Sequence, residues 1–98
     1  MSKFKNEATD KLFEAILALK NVEECYLFFE DACTIKEIQS ISQRFDVACK
    51  IDAGSNYKEV IDRTGASSAT ISRVNRCVTY GDGGYKLAID RLKEEGKL

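Results

Sequence analysis

The stretch YKEVIDRTGASSATISRVNRC, residues 57 to 77, constrains the chain more than any other. Val60 and Ile61 supply the apolar residues of a short helical pattern that must stop at Thr64 and Gly65. Glycine is the residue that most readily takes φ > 0 where a chain turns sharply. Two positions later, Ser67 offers a hydroxyl to cap a new helix, and Ile71 with Val74 or Val78 gives that helix an inward stripe. Two helices joined this tightly leave one face of the second helix uncovered. That face carries Ser67, Ser68, Ala69, Thr70 and Ser72, followed by Arg73 and Arg76. Short, hydroxylated side chains let a helix backbone approach base edges and phosphates, and the arginines supply charge. The region from about 56 to 78 therefore reads as a helix-turn-helix.

The remaining signals are helical too, and the chain contains no proline. Ala8, Leu12, Phe13, Ile16 and Leu17 form a helical stripe that breaks near Asn21. Val22, Tyr26 and Phe29 begin another, and Leu27 and Phe28 widen its apolar face beyond what a small monomer buries. A helix that is apolar around more than half its circumference needs two partners, which points to a helical homodimer. Thr34 and Glu37 have capping-box spacing, and Ile38, Ile41, Phe45 and Ala48 follow as a long core-facing stripe ended by Gly54. Asn56 and Glu59 repeat the capping spacing. A final helix turns Leu87, Ala88 and Leu92 inward. The glycines at 81 to 84 lack the G-K-[ST] of a phosphate loop and read as a turn. The expectation is an all-α fold of six helices in a single domain spanning residues 1 to 98.

Composition narrows the function classes. No histidine is present, so the usual general base at neutral pH is missing, and no motif gathers substitutes; an enzyme is not expected. Cys25, Cys33, Cys49 and Cys77 show no paired short spacing of the kind zinc ligands use, and read as buried thiols in a reduced compartment, with no metal. No apolar run exceeds five residues, far short of a membrane span, and the acidic residues near the start are unlike a secretion signal. A cytoplasmic protein without a membrane partner is expected. The net charge of −1 is unevenly spread. Residues 1 to 33 hold four lysines against seven acids, whereas residues 56 to 80 hold Lys58, Arg63, Arg73 and Arg76 against only Glu59 and Asp62.

From about residue 26 to 94 the chain resembles the Trp repressor superfamily, most closely its Trp-repressor-like YerC/YecD branch. The residues that carry the resemblance are T-x-x-E…S-Q-R-F at 34 to 45 and YKEVIDRTGASSATISRVNR at 57 to 76. The resemblance implies an intertwined homodimer that acts as a transcriptional repressor on a pseudo-palindromic operator. It implies DNA contacts from Lys58 on the first helix of the motif and from Ser68, Ala69 and Ser72 on the second, with Ser67 and Thr70 as phosphate or cap positions. It also implies an effector pocket at Thr34, Arg44 and Arg73, since tryptophan-binding members hold the indole between two arginines at the latter positions. Arg44 reads equally well as a solvated helix residue. Two departures argue against tryptophan as corepressor: Val74 stands where those members have glycine beside the indole, and Cys77 stands where they have a serine. No cofactor is expected to be required, and another small effector is left open.

Taken together, these features predict a sequence-specific DNA-binding transcriptional regulator whose partners are double-stranded DNA and a second copy of the chain. The alternative is a helical dimeric protein-interaction module that has lost operator binding, which the overall acidity and Glu59 and Asp62 in the first motif helix would favour.

Overall fold

The computed structural model describes residues 3–98. It consists of α1 (Glu7–Ala18), α2 (Val22–Ala32), α3 (Ile35–Asp52), α4 (Tyr57–Thr64), α5 (Ser68–Tyr80) and α6 (Gly84–Glu94), with no strand among the described residues. Helix starts follow local chemistry. Asn6 accepts the Thr9 N–H at 2.8 Å and Asn21 accepts the Glu24 N–H at 2.8 Å. Thr34 and Glu37 close a reciprocal box at the start of α3, with bonds of 3.1 and 2.8 Å. The bonds from the Thr34 backbone and hydroxyl hold the Glu37 carboxyl below its ordinary pKa. Asn56 and Glu59 form the second box, at 2.9 and 3.0 Å.

The chain divides into two compact units, Met1–Ile38 and Gln39–Leu98, with the division inside α3. In the first unit, α1 and α2 contain no buried residue. Leu12, Phe13, Leu17, Val22, Tyr26 and Leu27 are all exposed, Leu17 to 84%. Phe28 and Phe29 stack edge-on at 5.2 Å, as do Phe4 and Phe13 at 6.5 Å. Of the wide apolar face read from α2, Val22, Tyr26 and Leu27 are exposed, while Phe28 and Phe29 are half-buried.

The second unit holds the core. Val47, Ala48, Val60, Ala66, Ile71, Val74 and Ile89 are buried together, with Phe45, Cys49, Ile51, Val78 and Tyr85 packed around them. Helix α5 packs against both α4 and α6. Polar ties also run from α3: Asp52 at its C-terminal end pairs with Lys93 at 2.6 Å and Lys86 at 3.2 Å, both on α6. Hydrogen bonds from Lys93 and then Lys86 keep the Asp52 carboxyl below the usual carboxylate range.

Several inward assignments from the sequence need correction. On α6 the buried residue is Ile89; Leu92 is half-buried, and Leu87 and Ala88 are exposed. That helix has apolar residues on two faces, and contact with α5 selects the Tyr85–Ile89 side. On α3, Ala48 is buried as expected, but Ile41 is exposed, and Val47 joins Ala48 in the core. On α4, Val60 is buried while Ile61, about 100° further around the helix, is exposed. The cysteines are free, but Cys77 is exposed rather than buried, and the other three are half-buried. Burial pushes the Cys49 thiol pKa up, with Asp46 adding to the shift. No group of His, Cys, Asp or Glu among the described residues could hold a metal ion. No described helix is long and apolar enough to cross a membrane.

Candidate nucleic-acid interface

The turn between α4 and α5 is built from three successive devices. Gly65 sits at φ 68° and ψ 9°, and its N–H donates to the Ile61 carbonyl at 2.9 Å, ending α4 in a left-handed cap. The Thr64 hydroxyl donates to the Val60 carbonyl at 2.6 Å and accepts the Ala66 N–H at 3.2 Å. Ser67 then caps α5: its Oγ accepts the Thr70 N–H at 3.2 Å, and the two hydroxyls are 3.1 Å apart. A brace comes from α3, where the Gln43 amide donates to the Thr64 carbonyl at 3.2 Å. Gln43 and the buried Ala66 stand in the stretches that carry the resemblance, but no role was read for either from the sequence. No periodicity marks a residue whose role is one hydrogen bond to a turn 21 positions away.

Helix α5 is divided lengthwise. Ile71 and Val74 are buried and Val78 is half-buried, forming the packed stripe. Ser68, Ala69, Ser72, Arg73 and Arg76 are exposed on other sides. Ser67 is exposed at the cap and Thr70 is half-buried beside it, so these two spend hydrogen-bonding capacity on starting the helix. Lys58 is exposed at the second position of α4. The structure thus puts every residue of the candidate DNA face on α4, α5 or the cap between them.

The cations held in ion pairs all lie outside this face, where Lys3, Lys11, Lys20, Lys36, Arg44 and Arg91 also form none among the described residues. Lys5, Lys50, Lys86, Lys93 and Lys97 all pair with carboxylates. Among the described residues, Lys58, Arg63, Arg73 and Arg76 form no ion pair. Unpaired cations can meet phosphates without first breaking an internal partner. Glu59, an acid on α4, is turned onto the Asn56 N–H at 3.0 Å.

The residues read as an effector pocket are placed as follows. The Thr34 hydroxyl is engaged in capping α3, within the first unit. In the second unit, Arg44 is half-buried and its Nε donates to the Ser40 carbonyl at 3.4 Å, while Arg73 is exposed on α5. Val74 is 1% exposed and belongs to the core cluster, so its isopropyl group is held in place by packing. Cys77, exposed, offers only a weak hydrogen-bonding group in that region.

A depression of about 230 Å³ that the sequence did not predict opens between α4 and α5. Its lining includes Tyr57, Ser72 and Asn75. These come from different helices, so only folding assembles them.

Comparison with known proteins matches this geometry. The family model described as Trp repressor protein matches residues 7–93. YerC, an uncharacterized protein of Bacillus subtilis (strain 168), is 51% identical over 94 residues, covering 96% of this chain and 90% of that protein. The crystal structure of a Trp repressor candidate from Staphylococcus aureus superposes with a TM-score of 0.89 at 49% identity, covering 93% of this chain and 91% of that one. A TrpR-like protein from Eubacterium eligens ATCC 27750 gives a TM-score of 0.88 at 52% identity, covering 93% and 94% of the two chains. On the match over residues 7–93 and the identity to YerC along nearly its whole length, the chain belongs to the Trp repressor family.

Proposed function

We propose that this chain is a cytoplasmic transcriptional regulator that binds a pseudo-palindromic DNA operator as a homodimer and represses from it. The observation that carries this reading is the exposed face of α5, small and hydroxylated at its N-terminal end and flanked by cations that have no internal partner. A helix of this kind enters the major groove while the preceding helix crosses the backbone. Ser68, Ala69 and Ser72 are assigned to base edges. Lys58, Arg73 and Arg76 are assigned to phosphates, and Ser67 and Thr70 to shaping the approach. The family membership supports DNA-binding regulation, and the uncovered apolar surface of α1 and α2 supports the dimer.

The alternative of a protein-interaction module drew on Glu59 and Asp62. Glu59 has a structural reason to be there, since it completes the capping box of α4. That leaves Asp62 as the only acid on this helix without such a role. Binding is expected without tryptophan, because Val74 fills the core beside α5.

The test is selection of bound fragments from random DNA at two salt concentrations. Ser72→Ala and Ala69→Ser should change the preferred sequence. Lys58→Ala and Arg76→Ala should weaken binding to all sequences alike and each lower the salt slope by about 1. Wild-type protein that enriches no motif even at low salt would refute operator reading.

A further inference from the structure

We propose that Gln43 is a positioning residue for DNA binding, its amide fixing the pose of the α4–turn–α5 unit against α3. The proposal rests on the DNA-binding reading and adds to it a residue that lies outside the face assigned to DNA. Gln43 stands four positions before Val47 and eight before Ile51, a spacing that puts all three on one face of α3. Val47 is buried in the core and Ile51 packs against it. An apolar residue at 43 would extend that stripe, yet a half-buried amide stands there. Its Nε2 donates to the Thr64 carbonyl at 3.2 Å. A carbonyl only accepts, so the nitrogen of the amide and not its oxygen must face Thr64.

The place of the acceptor gives this bond its consequence. Thr64 is the last residue of α4, and the final carbonyls of a helix have no partner within it. Gly65 follows in the left-handed conformation, so the direction in which the chain leaves for α5 is set at this point. The Thr64 hydroxyl already joins the two sides of the bend, through the Val60 carbonyl and the Ala66 N–H. Helix α4 has 8 residues, of which Val60 is buried. One buried contact leaves a short helix free to pivot about it. The capping box of Asn56 and Glu59 is internal to α4 and does not restrain that motion. Among the described residues, Gln43 is the one side chain of another helix that hydrogen-bonds to α4. It supplies a second anchor, at the end of α4 from which α5 departs. A unit already held in its binding pose loses less conformational freedom when it docks.

The experiment measures the affinity of the full-length protein for the operator selected by the wild type and for random-sequence DNA, well below the melting temperature. Gln43→Met keeps the length of the side chain, suits the apolar stripe and removes the donor. It should lower the ratio of operator to random-DNA affinity about three- to tenfold, the loss of one hydrogen bond. The salt slope should stay at the wild-type value, because Lys58, Arg73 and Arg76 remain in place. A side chain needed only for folding would change the melting temperature and leave that ratio alone. Gln43→Glu, similar in size, turns a carboxylate that cannot donate towards the Thr64 carbonyl, and its ratio should fall at least as far. Amide exchange supplies a local readout: in Gln43→Met the Gly65 and Ala66 amides should exchange faster, with the Val47 and Ile89 amides unchanged. A wild-type affinity ratio in both variants, or unchanged exchange at Gly65 and Ala66, overturns the positioning role and leaves operator binding standing. A wild type that selects no DNA removes both readings together.

Discussion

Gly65 has the φ of 68° that an L-residue adopts only at a cost, and an added Cβ would meet nothing within 4 Å. The penalty for a side chain there is therefore one of backbone conformation and not of space. Gly65→Ala should destabilise the protein by about 1 kcal/mol in urea unfolding, and Gly65→Asn by less, since asparagine tolerates the left-handed region. An unchanged midpoint in the alanine variant would mean the turn does not need this conformation. Gly81 differs: a Cβ would come within 2.3 Å of the Cys77 carbonyl oxygen, so a side chain is excluded by contact with backbone. Core assignments can be tested residue by residue as well. Ile89 is 1% exposed and Leu87 is 54% exposed. Ile89→Ala should cost about 3 kcal/mol and Leu87→Ala well under half of that, measured as shifts in denaturation midpoint at constant slope. Equal losses would contradict the inward face described for α6. Hydropathy alone ranks these two residues together; only the packing of α5 separates them.

The helices themselves were largely legible. Thr34 and Asn56, each followed by glutamate three residues on, marked the starts of α3 and α4, Ser67 marked that of α5, and glycines marked the ends of α3 and α4, because capping uses neighbours only a few residues apart. The tie between α3 and α6 was not legible, since Asp52 meets Lys86 and Lys93 from 34 and 41 positions away. This tie gives the pairing of α6 a pH dependence. The Asp52 carboxyl has its folded pKa lowered, so its contribution is present above the unfolded value near 4 and is lost as pH falls through the folded value. The Lys86 ammonium has its pKa raised, by Asp90 first and then Asp52. Its contribution is complete below the unfolded value near 10.4 and is lost as pH rises through the folded one. The clamp should thus hold from mildly acidic to mildly alkaline pH. Both lysines are about half exposed, so solvent screening keeps the effect small. Amide exchange in α6 should speed up as pH falls below about 4, beyond the intrinsic rate change, and Asp52→Asn should remove that excess. The same excess in the variant would show that the carboxylate is not its source.

For the whole molecule, the largest unresolved demand is the apolar surface of the first unit. A protein that leaves Leu17, Val22, Tyr26 and Leu27 uncovered on α1 and α2 has no reason within one chain to select those residues. A second copy would cover them, and stability would then depend on protein concentration. The melting temperature should rise with concentration, and Leu17→Glu should shift sedimentation to the monomer and lower the melting temperature at every concentration. A wild type that sediments as a monomer at tens of micromolar, with a concentration-independent melting temperature, would rule the homodimer out.

Helix number, the helix-turn-helix and the surplus of apolar residues in α2 were determined by the sequence itself. Each depends on periodicity, caps and turn residues that act over a few positions. Tertiary structure decided which apolar face of α6 is buried, how Gln43 braces the turn, and that Val74 is committed to the core. It also decided that Tyr57 and Asn75 share a cleft with Ser72. These are relations between helices. They follow from how α3, α4, α5 and α6 pack, which no local pattern encodes, because the same apolar residue can satisfy either of two neighbouring faces until a partner helix chooses between them.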